Sequence, residues 1–381
     1  MKFRIYGREF KSLVDRISGI VPKRTAIHVL ETVKITAYDK YVTVEANDLQ
    51  DFATIKVYAD IYEDGATWVY LTDLKKVIGI DDEITITTND GKLEVRGAKK
   101  SYEIICHDDY YEFWTDRPVL QNNDIMCRQN DLEFLNHLSR LNCMRSESTS
   151  NMMMTTFCLD LPKEKIVVLD GHRIGIAKLV GGMFSPNRKR LVIYGTLYKA
   201  LKSLIGKSKI EKYIEIYADD KYALFVGEDW TLTTKLVEGQ FFNYENLISV
   251  SEYDYTYKVN KKELGDIAKE YCKVVSEDNK KPMIIYNNFG KVATCIEVAD
   301  YRTSDVIESV VPEYGMDHEF YVGFNPRFIA DACNVFDNMA AVHGQYKANC
   351  PITITDETYT ILILPVNIVG YSVEFVRKQV A

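Results

Sequence analysis

The chain has 381 residues, 46% of them hydrophobic and 27% charged, with a net charge of −8. This is the make-up of a globular chain long enough for two or three domains, each with its own core. No run of about 18 apolar residues could span a bilayer, and Met1-Lys-Phe-Arg-Ile-Tyr-Gly7 enters a strand without an apolar signal region, so a cytoplasmic, non-membrane protein is expected.

The first unit opens with Phe10, Leu13, Val14, Ile17 and Ile20 at helical spacing, predicting a helix over Arg8–Val21 that Gly19 and Pro22 close. Strands follow at Thr32–Ala37 and Tyr41–Ala46, then a short helix over Thr72–Ile78. Asn89-Asp-Gly91 between Glu83–Thr87 and Lys92–Arg96 is the strongest turn signal in the chain and predicts a hairpin. The acidic and aromatic stretch Asp108–Pro118 reads as a linker.

The order then recurs at intervals of about 125 residues. Long helices are predicted at Asn130–Met144 and Lys261–Val275, and short ones at Gly195–Ile205 and Pro326–Phe336. Comparable strands lie at Val42–Ala46, Ile166–Leu169 and Val292–Ile296, with Trp230–Val237, Ile352–Thr355 and Tyr359–Leu364 closing the later units. A second junction is expected near Ser249–Asp254. The expected fold is α+β, a tripled unit with domains at 1–119, 120–252 and 253–381. Open sheet edges invite association. Joining successive units would satisfy all but the two outermost edges, and a second copy placed head-to-tail could satisfy those and close a ring.

The eight cysteines (Cys106, Cys127, Cys143, Cys158, Cys272, Cys295, Cys333, Cys350) never take the short spacing of a metal knuckle or redox pair. Free thiols in a reducing cytosol are expected, with no metal and no cofactor. Charge is unevenly spread. The six helical windows 6–24, 71–80, 128–145, 194–209, 260–281 and 325–336 carry +10 together, leaving −18 for the rest. Lysines on a helix usually mark a solvated face. If these helices shared one surface, however, it would attract phosphate while the remainder repelled it.

Several segments then match a known family: Met1-Lys-Phe3, Arg24-Thr-Ala-Ile-His-Val-Leu30, Asn47-Asp-Leu49, Asp170-Gly-His-Arg173, Lys235-Leu-Val-Glu-Gly-Gln-Phe241 with Asn243-Tyr244, Gly323-Phe-Asn-Pro326 and Leu364-Pro-Val366. None is specific alone, but their order on a threefold repeat resembles the bacterial sliding clamp, the beta subunit of DNA polymerase III, over nearly the whole length. The resemblance implies three clamp-type domains per chain and a head-to-tail homodimeric ring, with helices lining the hole and antiparallel sheets outside. It implies a non-catalytic processivity factor that encircles double-stranded DNA. Expected partners are the DNA polymerase III alpha subunit, the clamp loader and other replication and repair proteins.

By that resemblance, Arg24 with Lys23, and Lys199 with Lys202, are expected to face DNA. Gly195-Thr196 stands where many relatives carry a basic pair. A cleft for partner peptides is implied at Leu169, Gly171, His172, Arg173 and Ile174, with Met154 from the run Met152–Met154. Its other walls would be Phe242, Asn246 and Leu247, then Leu362, Leu364, Pro365, Val366 and Asn367. Phe242, Asn246 and Asn367 depart from the common proline and basic residues. For the dimer contact the resemblance points to Tyr102 and Ile104 against Val274 and Val275, with core packing as the other reading of these four. The chain continues past Val366 where relatives commonly stop, and Tyr371, Val373 and Phe375 alternate as in a strand that could lie over the cleft.

Two other readings stay open: a divergent clamp relative that scaffolds proteins without encircling DNA, and a metal-dependent DNA hydrolase, for which Asp108-Asp109 and Asp219-Asp220 are the available carboxylate pairs. Gly206-Lys-Ser208 imitates the end of a phosphate loop, but Leu201 stands where the first glycine belongs, which excludes nucleotide binding there.

Overall fold

The computed structural model describes residues 1–77, 82–121, 124–148, 150–207, 210–248, 252–275, 281–298, 301–368 and 373–378. Ile78, Ser208, Ser249, Val369 and Tyr371, which carried sequence expectations, lie outside the described residues. Eight α-helices are described: α1 Gly7–Ile17, α2 Leu71–Leu74, α3 Asp131–Leu141, α4 Thr196–Ile205, α5 Tyr244–Ile248, α6 Lys261–Cys272, α7 Pro326–Cys333 and α8 Val373–Arg377.

Six of these helices follow directly from a strand, and this recurrence is the repeat. Lys2–Tyr6 runs into α1, Gly65–Tyr70 into α2, Ile125–Asn130 into α3, Arg190–Tyr194 into α4, Tyr255–Asn260 into α6 and Phe320–Phe324 into α7. Where the sequence offers an asparagine, it caps the helix. Asn260 accepts from Lys262 N and Asn325 from Arg327 N, satisfying donors that a helix start leaves orphaned. The long helices end earlier than apolar spacing alone suggested. Ser18 ends α1, and α3 tightens into a 3-10 turn at Asn142–Met144, because apolar residues continue past the last α-type hydrogen bond and fill the core from the turn that follows.

The chain gathers into two compact units, Met1–Asn136 with Gly181–Glu238, and His137–Val180 with Gly239–Ala381. In the first, one antiparallel sheet runs Met183–Phe184, Ile125–Asn130, Tyr213–Ala218, Tyr222–Val226, Trp230–Lys235, Asp51–Tyr58, Tyr41–Asn47, Thr32–Tyr38 and Gly65–Tyr70. A smaller one runs Asp60–Glu63, Lys2–Tyr6, Glu83–Asn89, Lys92–Arg96 and Ser101–Ile105. The Asn89-Asp-Gly91 hairpin forms as expected, with φ of 48° at Asp90 and 70° at Gly91. Two positive φ values in succession are what a twist-compatible two-residue hairpin turn needs.

In the second unit a sheet runs Thr156–Asp160, Lys165–Leu169, Arg173–Lys178, Tyr359–Ile363, Ile352–Thr355, Met339–Gly344, Tyr255–Asn260 and Val311–Tyr314. A four-stranded one runs Tyr301–Val306, Lys291–Val298, Met283–Asn288 and Phe320–Phe324. Strands of successive repeats therefore share sheets. Trp230–Lys235 pairs with Asp51–Tyr58, placing Trp230 opposite Ile55, and Arg173–Lys178 pairs with Tyr359–Ile363, placing Arg173 opposite Ile363. These two joins explain why the compact units cut through the middle repeat: Thr156–Asp160, Lys165–Leu169 and Arg173–Lys178 go with the third repeat and its other described strands with the first.

His137, on the buried face of α3, shows what its burial costs. It is 3% exposed, its Nδ1 lies 2.8 Å from the Tyr359 hydroxyl, and burial, reinforced by the Arg140 charge, pushes its pKa down to about 4. The unfolded chain takes up this proton near its ordinary value of 6.5, so the group's full stability is present above that pH and is lost as pH falls toward 4. The loss is on the order of 3 kcal/mol at 1.36 kcal/mol per unit. Urea unfolding at pH 7 and pH 4.5 should show His137→Gln losing less stability than the native chain; equal losses would rule His137 out as the source.

The C-terminal segment corrects an expectation. Residues 373–377 form α8 rather than a strand, since five residues of alternation are too few to distinguish the two periods. Val376 is fully buried, and it and Phe375 pack on Ile284, Tyr286, Ala293 and Cys295 of the four-stranded sheet. Arg377 pairs with Glu319 and approaches the Tyr286 hydroxyl. Removing residues 369–381 should uncover that apolar patch, lower stability by about 2 kcal/mol for the lost burial and raise binding of a hydrophobic dye. An unchanged melting temperature would argue against this docking.

Candidate functional site

Within the first unit, α1 and α4 pack side by side. A Cβ added at Gly19 would lie 2.2 Å from the Ser203 Cβ, so only glycine permits this approach. The Ser203 hydroxyl donates to Arg16 O at 2.7 Å. Arg16 fastens the pair in return: Nε donates to Leu204 O at 2.7 Å, and the terminal nitrogens donate to both Asp229 oxygens at 2.6 and 2.7 Å. Two helix faces from different repeats are thereby held together.

Their lysines converge. Lys23, Lys75, Lys199 and Lys202 line one groove with Ser18, Gly19 and Thr72, where Glu31 is the acidic member. Arg8, Lys11, Lys202, Lys207 and Lys212 line an adjoining groove that also holds Asp15, Asp131 and Asp229. The three lysines singled out in the sequence are thus brought together, and Lys75, which no sequence signal marked, joins them. Arg24 is exposed on the loop after α1, outside the lining of both grooves. The flexible ammonium groups carry positive charge without fixed directional recognition, suited to a backbone of phosphates rather than to base edges.

In the second unit, Asp170-Gly-His-Arg173 is a built turn. Asp170 Oδ1 accepts from His172 N and Arg173 N, both at 3.0 Å, and Gly171 has φ of +88°. Arg173 is 6% exposed. Its guanidinium donates to Asp170 at 2.8 Å, Asp331 at 2.7 Å and Cys143 O at 2.7 Å, and sits 4.4 Å above the Phe328 ring. Burial opposes the charge, yet the two carboxylates outweigh it and hold the pKa above its ordinary value.

This latch shapes a cavity of about 810 Å³ beside it, lined by His172, Asn325, Pro326, Phe328, Val366 and the α6 side chains Lys269 and Cys272. His172 is exposed and stacks on Phe328 with ring centroids 5.8 Å apart. Leu364 N donates to His172 O at 2.9 Å, which carries the chain on to Val366. Met154 lies against Gly171, its Cε 3.5 Å from where a Cβ would stand. Leu364 and Asn367 are exposed and Pro365 half-buried.

Other expected cleft residues are placed differently. Leu169, Ile174 and Leu362 are buried strand residues outside the cavity lining. Phe242 packs edge-on against Phe241 at 5.7 Å, and Asn246 and Leu247 are exposed on α5; all three lie outside the cavity lining. Asn325 and Phe328 were missed, although Asn325-Pro326 reads as a cap followed by proline at the helix start. The described part of the C-terminal segment packs on residues that do not line this cavity. Val275 lines it, Val274 is half-buried, Tyr102 is half-buried and Ile104 is 7% exposed within its own sheet.

Three of the four carboxylates in the two pairs are occupied. Asp108 accepts from the Thr67 hydroxyl, Asp219 from three backbone N–H groups, and Asp220 pairs with Lys189. Among the described residues, no three His, Cys, Asp or Glu side chains gather as metal ligands, and no helix is long and apolar enough to cross a membrane.

Tripled strand-to-helix units sharing antiparallel sheets, with a basic helical face and a separate cavity, define the class by architecture: a clamp fold. Residues 1–110 match the family model described as DNA polymerase III beta subunit, N-terminal domain. A beta sliding clamp of Chlamydia pneumoniae is 22% identical over 386 aligned positions, covering 96% of this chain and 98% of the relative. One of Synechococcus elongatus is 20% identical, covering 97% and 100%. The DNA polymerase beta subunit of Streptococcus pyogenes superposes with a TM-score of 0.85 at 15% identity, and the sliding clamp of Bacillus subtilis with 0.82 at 18%, each covering 97% of this chain and all of the other. Over residues 1–110 the chain is thus similar to the N-terminal domain of the DNA polymerase III beta subunit, and over nearly its whole length it has the fold of the sliding clamps.

Proposed function

We propose that two copies of this chain, each divided into domains at 1–119, 120–252 and 253–381, close head-to-tail into a ring around duplex DNA. The ring acts as a non-catalytic processivity factor. The observation that carries this is the matching of strand edges. In both intrachain joins, the last strand of one repeat pairs with a strand of the repeat before it. The counterparts left over are Ser101–Ile105, which ends the first repeat, and Tyr301–Val306 in the third, and each stands at the end of its sheet. An unpaired edge is a template for another chain, and joining these two between copies uses the same rule a third time.

In such a ring the grooves lined by Lys23, Lys75, Lys199 and Lys202 face DNA, holding phosphates weakly and without reading sequence, so that sliding is unhindered. Retention then depends on the ring staying closed. The cavity beside Arg173 receives short apolar segments of partners, the polymerase alpha subunit, the clamp loader and other replication and repair proteins among them. A stacked His172–Phe328 pair and the adaptable thioether of Met154 suit such ligands.

Sedimentation should show a dimer, and the dimer once loaded should remain on circular DNA far longer than on linear DNA of equal length. A dimer that leaves both at one rate would point instead to a protein scaffold that does not encircle DNA.

A further inference from the structure

The helices that open the three repeats share one register. Positions four, seven, eight and eleven turn inward: Phe10, Leu13, Val14 and Ile17 in α1; Phe134, His137, Leu138 and Leu141 in α3; Leu264, Ile267, Ala268 and Tyr271 in α6. Position ten is therefore equivalent in all three. It is Arg16, Arg140 and Glu270.

Both arginines bind a carbonyl near the end of the following repeat's second helix and a nearby carboxylate, although Asp229 stands before the last strand of its repeat and Asp337 just after α7. Arg16 reaches into the second repeat, to Leu204 O and the Asp229 carboxylate. Arg140 reaches into the third, donating to Val335 O and, at 2.6 Å, to Asp337, with its guanidinium 5.4 Å from the Tyr359 ring. Each clasps the following repeat from the tenth position of its helix. Glu270 is exposed, and its carboxylate meets no cation among the described residues. A glutamate at a joint built on the same plan would repel a carboxylate such as Asp229.

The first repeat offers the opposite charge at the matching place. Asp229 is the third residue of a turn closed by Gly227 N donating to Trp230 O at 2.9 Å, just where the last strand of its repeat begins. The first repeat carries the same turn before its own last strand, closed by Gly97 N donating to Lys100 O at 2.9 Å, and its third residue is Lys99. Lys99 is exposed and Lys100 beside it is also basic. Arginine with aspartate inside the chain thus becomes glutamate with lysine between chains.

We propose that Glu270 of one copy pairs with Lys99 of a second copy, a clasp of inverted polarity at each head-to-tail joint. This rests on the ring reading above. Inversion supplies specificity as well as attraction. The helix bearing Glu270 would be repelled by the Asp229 turn, and a helix bearing arginine at position ten by Lys99, so the first internal joint and the joint between copies discriminate against each other's helices. An exposed pair adds little attraction in itself; the discrimination comes from the like-charge approaches it forbids. An exposed joint of this kind is also weaker in salt than the two half-buried arginine clasps.

The test is a charge-swap cycle in the full-length chain, read by sedimentation over a range of concentrations at about 0.1 M salt. Glu270→Lys and Lys99→Glu should each raise the dimer dissociation constant at least about tenfold, because a ring carries the pair twice. The double variant E270K/K99E should return to within about threefold of the native value. Both positions are exposed, so unfolding midpoints should stay unchanged, which separates a broken joint from a broken fold. A dimeric native chain whose single variants dimerise normally, or whose double variant is no better than the singles, overturns the clasp while leaving the ring. A native chain that stays monomeric overturns the ring and the clasp with it.

Discussion

Arg173→Ala is expected to lower the free energy of unfolding by about 3–5 kcal/mol at neutral pH, the usual cost of removing one member of a buried, hydrogen-bonded charge cluster. The guanidinium satisfies two carboxylates and the Cys143 carbonyl at once. Removing it leaves Asp170 and Asp331, with side chains only 12% and 22% exposed, close together with no cation between them. It also strips the face of Phe328, which lines the cavity. Arg173→Lys should recover little, because an ammonium on a flexible stem cannot reach three acceptors in fixed directions while stacking on a ring. Urea titration monitored by far-UV circular dichroism measures the effect, and a loss below about 1 kcal/mol would show that the cluster is solvated and dispensable. Binding of an apolar peptide should fall in the same variants, since the His172–Phe328 stack is held from behind by this latch.

That latch marks the boundary of what could be read from sequence. Asp170-Gly-His-Arg173 was legible as a turn, since a short carboxylate two residues before His172 and a glycine between them are local chemistry. Its tie to Asp331 spans 158 residues, and no periodicity reports such a partner. The same divide runs through the fold. The inward faces of α1 and α3 follow from apolar spacing, and the Asn89-Asp-Gly91 hairpin from two residues that tolerate positive φ. The pairing of Trp230–Lys235 with Asp51–Tyr58 does not, because strand partners are selected by three-dimensional register and the alternation is the same whichever edge is joined. Residues 373–377 misled for a related reason: Val373 and Phe375 alternate, yet Phe375 and Val376 pack together on one sheet, which a helix allows and a strand does not.

Neutralising Lys23, Lys75, Lys199 and Lys202 together to glutamine should weaken association with short duplex DNA on the order of a hundredfold at low salt. The basis is the counterion release that accompanies each neutralised phosphate. The slope of log affinity against log salt should become shallower by up to about 3.6 per chain, at about 0.9 for each phosphate left without its lysine. The net charge of −8 should make the effect large, because the rest of the molecule repels DNA and in the proposed ring the basic face has to overcome that repulsion. Lys75 is the informative single change: it shares a groove with the other three yet follows a different helix, so Lys75→Gln should shift the slope as Lys199→Gln does. Retention of a loaded ring on circular DNA should change little in all these variants, since closure holds the duplex even when attraction is weakened. If the salt slope stays at its native value, these lysines do not meet phosphates, and the helices carrying them do not line the DNA path.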